Sequence, residues 1–349
     1  MKRSSLVLVR AVILGAAVAA VGCGRIDDNE FAASVPTRDT VALVVPAPSA
    51  TASTASARTS GGVTVRTGAI QGAVAKDYQL TAAVVTVVNG ATGAILDLIK
   101  SVTLYPATSV SGDTAVWGPF TDPLSANTYR LTVTRTAPHV FDWKLDGRAK
   151  TASDDTFVTV LFGEHTRALD DAGQPLEGFG SGTFTLSWDN ADMLPQHDSN
   201  VGQVAFTYAR TSPTATVTDD VTFTNVLDSC DPTTCGTNGQ IFDAVYMYTS
   251  TPGAGGDLQY GANENFIATT AALETLSLHS RWQEDGAGRT DIQLTGGDVS
   301  AVPQSASECW DSNFLSQYSL TTYDPTLDWG SESSCVFATA AFVSLSPGT

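Results

Sequence analysis

The pattern of hydrophobic and polar positions changes near residue 105, from a helical period to the period of a β-strand. Before this point apolar residues recur at every third or fourth position, which predicts one long amphipathic helix at about residues 81–103. Pro106 would end this helix, because proline cannot continue the backbone hydrogen bonds. The predicted apolar stripe consists of Val84, Val88, Ala91, Ile95, Leu98 and Val102, and it is widened by Val85, Val87, Ala94 and Ile99.

From Thr114 onward apolar and polar residues alternate, which is typical of strands with one buried face. In one such stretch Phe184, Leu186 and Trp188 share a face, with polar residues between them. Glycine-rich turns separate the stretches at hairpin distances. The pattern predicts eleven strands, at residues 114–120, 129–134, 141–147, 157–162, 182–188, 203–208, 216–226, 242–249, 257–261, 274–282 and 290–294.

Eleven consecutive strands cannot remain one flat sheet. We therefore expect a mainly β fold, a large antiparallel meander curled into an open barrel or half-barrel, with the N-terminal amphipathic helix packed on it. A β-sandwich is the alternative. In topology the expected fold is similar to the open barrels of lipid-binding lipoproteins, a resemblance of fold alone.

The first residues of the chain form a secretion signal. An uncharged apolar run at residues 11–21 follows three basic residues, Lys2, Arg3 and Arg10. The run is too short for a transmembrane helix. The run ends at Ala20-Val21-Gly22-Cys23, which resembles the signal of bacterial lipoproteins. The alternative is an ordinary secretory peptide that is cut near residues 17–19 and leaves Cys23 as a thiol.

The lipoprotein resemblance implies cleavage before Cys23 and acylation of that residue with palmitate-like chains, which hold the protein on a membrane. Gly24, in place of aspartate, implies the outer membrane of the cell envelope. We accordingly expect a signal peptide at residues 1–22, a lipidated N-terminus and flexible tether rich in Ala, Ser, Thr and Pro at 23–62, and a single β domain at 63–349.

The five cysteines fit an exported protein. If Cys23 is acylated, four cysteines remain and three pairings are possible. Cys230 and Cys235 flank a turn, so we expect one disulfide between them and a second between Cys309 and Cys335. A metal site is the alternative for these cysteines, although no pair of histidines stands nearby at ligand spacing.

The composition limits the partners. The net charge is −18, and removal of the signal would make the chain three units more negative. Such a surface repels phosphate backbones, so we expect no nucleic-acid partner. It also repels anionic lipids, so membrane contact would depend on the lipid at Cys23. The protein partner is not identifiable from the sequence.

Candidate chemistry is sparse. The chain has no Gly-x-Ser-x-Gly elbow, phosphate loop or zinc helix, so we expect neither an enzyme nor a cofactor, although a hydrolase without a motif is a minor alternative. The histidines are scattered, and we expect each at the surface or on an edge strand. Weak metal candidates are Asp189, Asp192, Asp285 and Asp291, for which an acidic loop and a glycine hairpin are the simpler interpretations.

Two functions fit this pattern. The first is a membrane-anchored lipoprotein that binds an apolar ligand or lipid in the concavity of a curved sheet. The second is a structural or surface interaction lipoprotein with a filled core. Whether the concave side is empty or filled distinguishes the two.

Overall fold

Fourteen antiparallel strands form one sheet in the computed structural model, in the order in which they follow along the chain. The structure describes residues 30–47, 70–121, 123–197, 200–227, 241–267, 269–299, 301–345 and 347. The strands are β1 Ser109–Ser111, β2 Thr114–Phe120, β3 Asn127–Ala137, β4 Val140–Ala149, β5 Val158–Leu169, β6 Pro175–Ser187, β7 Val201–Arg210, β8 Val217–Leu227, β9 Ile241–Thr251, β10 Gly255–Glu264, β11 Glu274–Gln283, β12 Gly288–Gly296, β13 Gln304–Trp310 and β14 Ser316–Thr321.

The sheet is open, because β1 and β14 lie at its two ends and it is not closed into a barrel. The mainly β, antiparallel meander is therefore confirmed. All fourteen strands belong to one sheet, so two separate sheets are not formed by the described residues. Each of the eleven predicted strands overlaps an observed one, whereas β1, β13 and β14 were not predicted.

Alternation along the strands separates a buried inner face from an outer face. In β4 the side chains of Phe141, Trp143 and Leu145 are buried, while Asp142 and Lys144 between them are exposed. Neighbouring strands align these inward positions into rows, and the rows form one continuous hydrophobic core. We call the side that packs against the long helix the inner face of the sheet.

The long helix, α1, spans Lys76–Thr103 and begins five residues before the predicted start. Its buried face coincides in part with the predicted stripe. Val85, Leu96, Ile99 and Val102 are buried in the core. Val102 belongs to the predicted stripe, Val85 and Ile99 belong to its widened edge, and Leu96 was not predicted. Val84 and Val88 are half-buried beside the core, and the side chains of Ala91, Ile95 and Leu98 lie outside the described residues.

Polar contacts fix both ends of α1 across the width of the sheet. At its start the backbone N–H of Asp77 donates to Glu308 Oε2 on β13 at 2.8 Å, which places a carboxylate at the positive end of the helix dipole. Just after its end the carbonyl of Tyr105 accepts from Trp117 Nε1 on β2 at 2.9 Å. Within the described part of the chain no helix is long and apolar enough to cross a membrane.

Residues 30–47, which we call the N-terminal segment, pack on the inner face beside α1. Phe31, Val35, Val41 and Leu43 are buried in the core. The Asn89 side chain of α1 donates to the carbonyl of Leu43 at 2.8 Å and accepts from its N–H at 2.9 Å. The prediction of a flexible tether at 23–62 is therefore wrong for this segment, because its apolar residues are buried; residues 48–62 lie outside the described part.

Residues 329–345, which we call the C-terminal strap, cross the outer face over β10 to β14. A backbone bridge joins Trp329 to Ser319 on β14, and the carbonyl of Thr339 accepts from Arg281 on β11. Near the end of the strap Leu345 lies against Gly261 of β10, where a side chain would collide with it. The last strands of the sheet are thus covered on both faces.

Candidate functional site

The disulfide between Cys309 and Cys335 is confirmed. It joins β13 to the C-terminal strap, and both cysteines are buried beside Tyr318. The predicted pair Cys230–Cys235 and the predicted lipidation site Cys23 lie outside the described residues, so both stay predictions.

Three of the four weak metal candidates make local polar contacts within loops. Asp189 Oδ1 accepts from the N–H of Gly202 at 2.8 Å, and Asp285 Oδ1 accepts from the N–H of Ala287 at 3.0 Å. Asp192 Oδ1 lies 3.0 Å from His197 Nδ1. Each side chain therefore has a local structural role of the kind common in loops.

Asp291, the fourth candidate, lies beneath the C-terminal strap and is fully buried. Its two carboxylate oxygens accept from Arg289 Nε at 2.7 Å and from Arg281 at 2.8 Å, and the N–H of Ala341 in the strap donates to it at 2.9 Å. The positive charges of Arg281 and Arg289 compensate the negative charge of this carboxylate, so Asp291 has a structural role beneath the strap. No group of three or more metal-ligating side chains occurs among the described residues.

Two histidines are buried, which corrects the prediction that all would lie at the surface or on an edge. His165 on the inner face shares a 2.7 Å hydrogen bond with Tyr208, and burial together with the charge of Arg167 lowers its pKa to about 4. His279, under the strap, lies 2.6 Å from Asp257. Burial alone would lower the pKa of His279, but its hydrogen bonds to Asp257 and to the carbonyl of Ala341 raise it overall.

The inner face also holds a buried carboxyl group that sequence reasoning missed. Asp219 on β8 lies directly between Tyr208 and Tyr248 of the neighbouring strands. Burial and the nearby charge of Asp220 raise its pKa to about 8. Asp219 Oδ2 and the hydroxyl of Tyr246 are buried without a hydrogen-bond partner among the described residues.

The N-terminal segment lies along this row of polar groups. The Tyr248 hydroxyl donates to the carbonyl of Val44 at 2.8 Å, while the N–H of Val44 donates to that hydroxyl at 2.9 Å. The guanidinium of Arg210 donates to the carbonyl of Asp39. The strand pattern contained a signal for the buried carboxyl group, because Asp219 is in phase with the inward Val221.

Two of the hollows between described residues bear on function. The first, which we call the outer hollow, has a volume of about 530 Å³ and lies on the outer face over β3 to β6. The second, of about 330 Å³, lies between the N-terminal segment and α1. The residues around the outer hollow are Thr132, Thr134, Asp142, Trp143, Lys144, Phe162, Gly163, Glu164, Thr183, Phe184 and Thr185.

Comparison with protein-family models, curated proteins and solved structures gives no match. Any function must therefore be argued from the residues and their geometry.

Proposed function

We propose that the chain is an exported, lipid-anchored protein that acts through contacts made by its surface, and that it does not carry an apolar ligand in its core. Of the two functions that fit the sequence, this is the structural or interaction lipoprotein. The observation that carries the proposal is the way the concave side of the sheet is occupied.

Helix α1 and the N-terminal segment together take the place that an apolar ligand would need. Leu96 is 0% exposed, Ile99 1% and Phe31 1%, and all three belong to the same core as the inward side chains of the sheet. A binding cavity for a drug-sized ligand has a volume of roughly 300 to 1,000 Å³ and a mostly apolar wall. The outer hollow lies on the face of the sheet opposite α1, and the second hollow lies between the N-terminal segment and α1, so neither is a cavity inside this core.

The path of α1 supports the half-barrel form of the sheet. The helix has 28 residues, which corresponds to a length of about 42 Å. Its ends contact β13 and β2, which would be about 53 Å apart in a flat sheet at the usual strand spacing. A sheet that is wider than the helix spanning it must curve around that helix, and this favours a half-barrel wrapped on a filled core.

The start of the described chain supports a short connection to the membrane. Glu30 pairs with Arg135 on β3 at 2.9 Å, so the chain contacts the sheet at this residue. Only residues 24–29 separate Glu30 from Cys23, and such a stretch reaches at most about 25 Å. A lipid at Cys23 would hold the sheet close to the membrane.

Two measurements on the full chain test this proposal. Detergent-phase partition should be lost in Cys23→Ser, because that variant cannot be acylated. The apolar dye phenylnaphthylamine should show no enhanced fluorescence with the purified wild-type protein, because the core is filled. Partition of Cys23→Ser into detergent as for the wild type would refute the anchor, and saturable dye binding by the wild type would refute the filled core.

A further inference from the structure

We propose that the outer hollow binds a basic segment of a partner protein, with an arginine or lysine side chain seated between Asp142 and Glu164. This inference rests on the proposed function and names the partner class of that interaction protein. The hollow is an open recess of about 530 Å³ in the sheet face opposite α1. This volume accommodates side chains of a bound segment.

The arrangement of charge in the hollow favours a cation. Asp142 on β4 and Glu164 on β5 lie directly opposite each other in the strand register. Side chains in such a pair start about 5 Å apart, and like charges in this position destabilise the sheet. Among the described residues neither carboxylate forms an ion pair or a hydrogen bond, so a cation supplied by a partner would compensate both.

The lysine in the lining of the hollow already has a partner. Lys144 Nζ lies 3.3 Å from Asp146, which is itself buried. Burial alone would raise the pKa of Asp146, but hydrogen bonds from Thr159 and Arg130 and the charge of Lys144 hold it below its ordinary value. Asp146 therefore stays ionised, and Lys144 pairs with it rather than with Asp142 or Glu164.

An exposed aromatic ring completes the hollow. Phe162 is 45% exposed and projects from β5 on the same face as Glu164. A cation over an aromatic ring gains about 0.5 to 1 kcal/mol at an exposed site. The same sheet already uses this contact, because the guanidinium of Arg130 lies 4.2 Å from the centre of the Phe157 ring.

The threonine hydroxyls favour a ligand with several donors. Thr134 lies beside Asp142, and Thr183 lies beside Glu164, so the four residues form one row across four strands. Hydroxyl and carboxylate oxygens accept the several N–H groups of a guanidinium. The overall charge of −18 adds long-range attraction for a basic partner and repels an anionic lipid surface.

Fluorescence anisotropy of a labelled tetra-arginine peptide with the full-length protein at low salt tests the proposal. The double variant Asp142→Asn/Glu164→Gln should weaken binding about tenfold or more, because the cation loses both carboxylates. Phe162→Ala should weaken it by about threefold, through loss of the ring contact. The matched control Asp171→Asn/Glu284→Gln removes the same charges from two exposed turns and should change the affinity by less than about twofold.

Equal weakening by the two double variants would overturn the proposal, because it would show attraction by net charge alone. Unchanged binding in Asp142→Asn/Glu164→Gln, or no peptide binding by the wild type, would overturn it as well. These outcomes are distinct from failure of the proposed function. Dye binding in the core would refute the filled core whatever the peptide does, and loss of the peptide result would leave the filled core standing.

Discussion

Asp219 is a single inward residue that makes the stability of the whole chain depend on pH. It occupies an inward position of β8 that the alternation assigns to apolar residues, and it is 4% exposed. In the folded protein its pKa is raised from an ordinary value of 3.8 to about 8, chiefly by burial. Between these two values the folded state holds a proton that the unfolded state has released.

Stability linked to Asp219 should therefore be greatest at acid pH and should be lost as the pH rises from about 4 to about 8. In this window the residue can lower the free energy of unfolding by up to about 1.4 kcal/mol per pH unit. Asp219→Asn should remove this dependence, so that the variant gains stability relative to the wild type as the pH rises. Urea unfolding at several pH values measures the difference.

Asp220→Asn is the control for this experiment, because Asp220 is the next residue on the same strand and points outward. The control should retain most of the pH dependence of the wild type. Parallel curves for the wild type and Asp219→Asn across the window would contradict the raised pKa.

At the scale of elements, the sequence predicted those strands whose apolar and polar residues alternate and the helix whose apolar residues recur at a helical period. The eleven alternating strands were located because one face of each is apolar and the other polar. Strands β13 and β14 were missed because they contain small and polar residues, such as Ser307 and Ser319, that are nevertheless buried. These strands are buried by α1 on one face and the C-terminal strap on the other, a long-range effect that no local pattern contains.

The buried face of the helix could also be predicted only in part from the sequence pattern. Apolar residues lie around much of its circumference, so the period alone does not decide which stripe contacts the sheet. The buried stripe includes two threonines, Thr81 and Thr92, which a hydrophobic pattern passes over. Thr81 faces inward, and its hydroxyl donates a 2.9 Å hydrogen bond to the Ser280 hydroxyl on β11.

The filled core makes a direct prediction for α1. Leu96→Ala should lower the free energy of unfolding by about 2 to 5 kcal/mol, because the packed sheet cannot close the cavity that the change leaves. Thr86→Ala, on the exposed face of the same helix, should change it by less than about 0.5 kcal/mol. Equally small effects in urea unfolding of both variants would indicate that α1 is not part of the core.

At the scale of the molecule, fold class and strand order followed from the sequence, but the coverings of the sheet did not. The N-terminal segment was interpreted as a tether because low-complexity residues follow it, yet Phe31 and Leu43 bury it against the sheet. The strap lacks strand periodicity, and only the predicted Cys309–Cys335 disulfide indicated that it returns to β13. The outer hollow depends on the register of four strands, which the turns do not determine from sequence alone.

Native mass spectrometry of the full-length protein purified from membranes tests the central claim most directly. The account predicts a mass equal to that of the chain processed at Cys23 and acylated there, with no apolar molecule bound in stoichiometric amount. A lipid or other apolar molecule present at one per chain, and released when the protein unfolds, would contradict the filled core and restore the carrier.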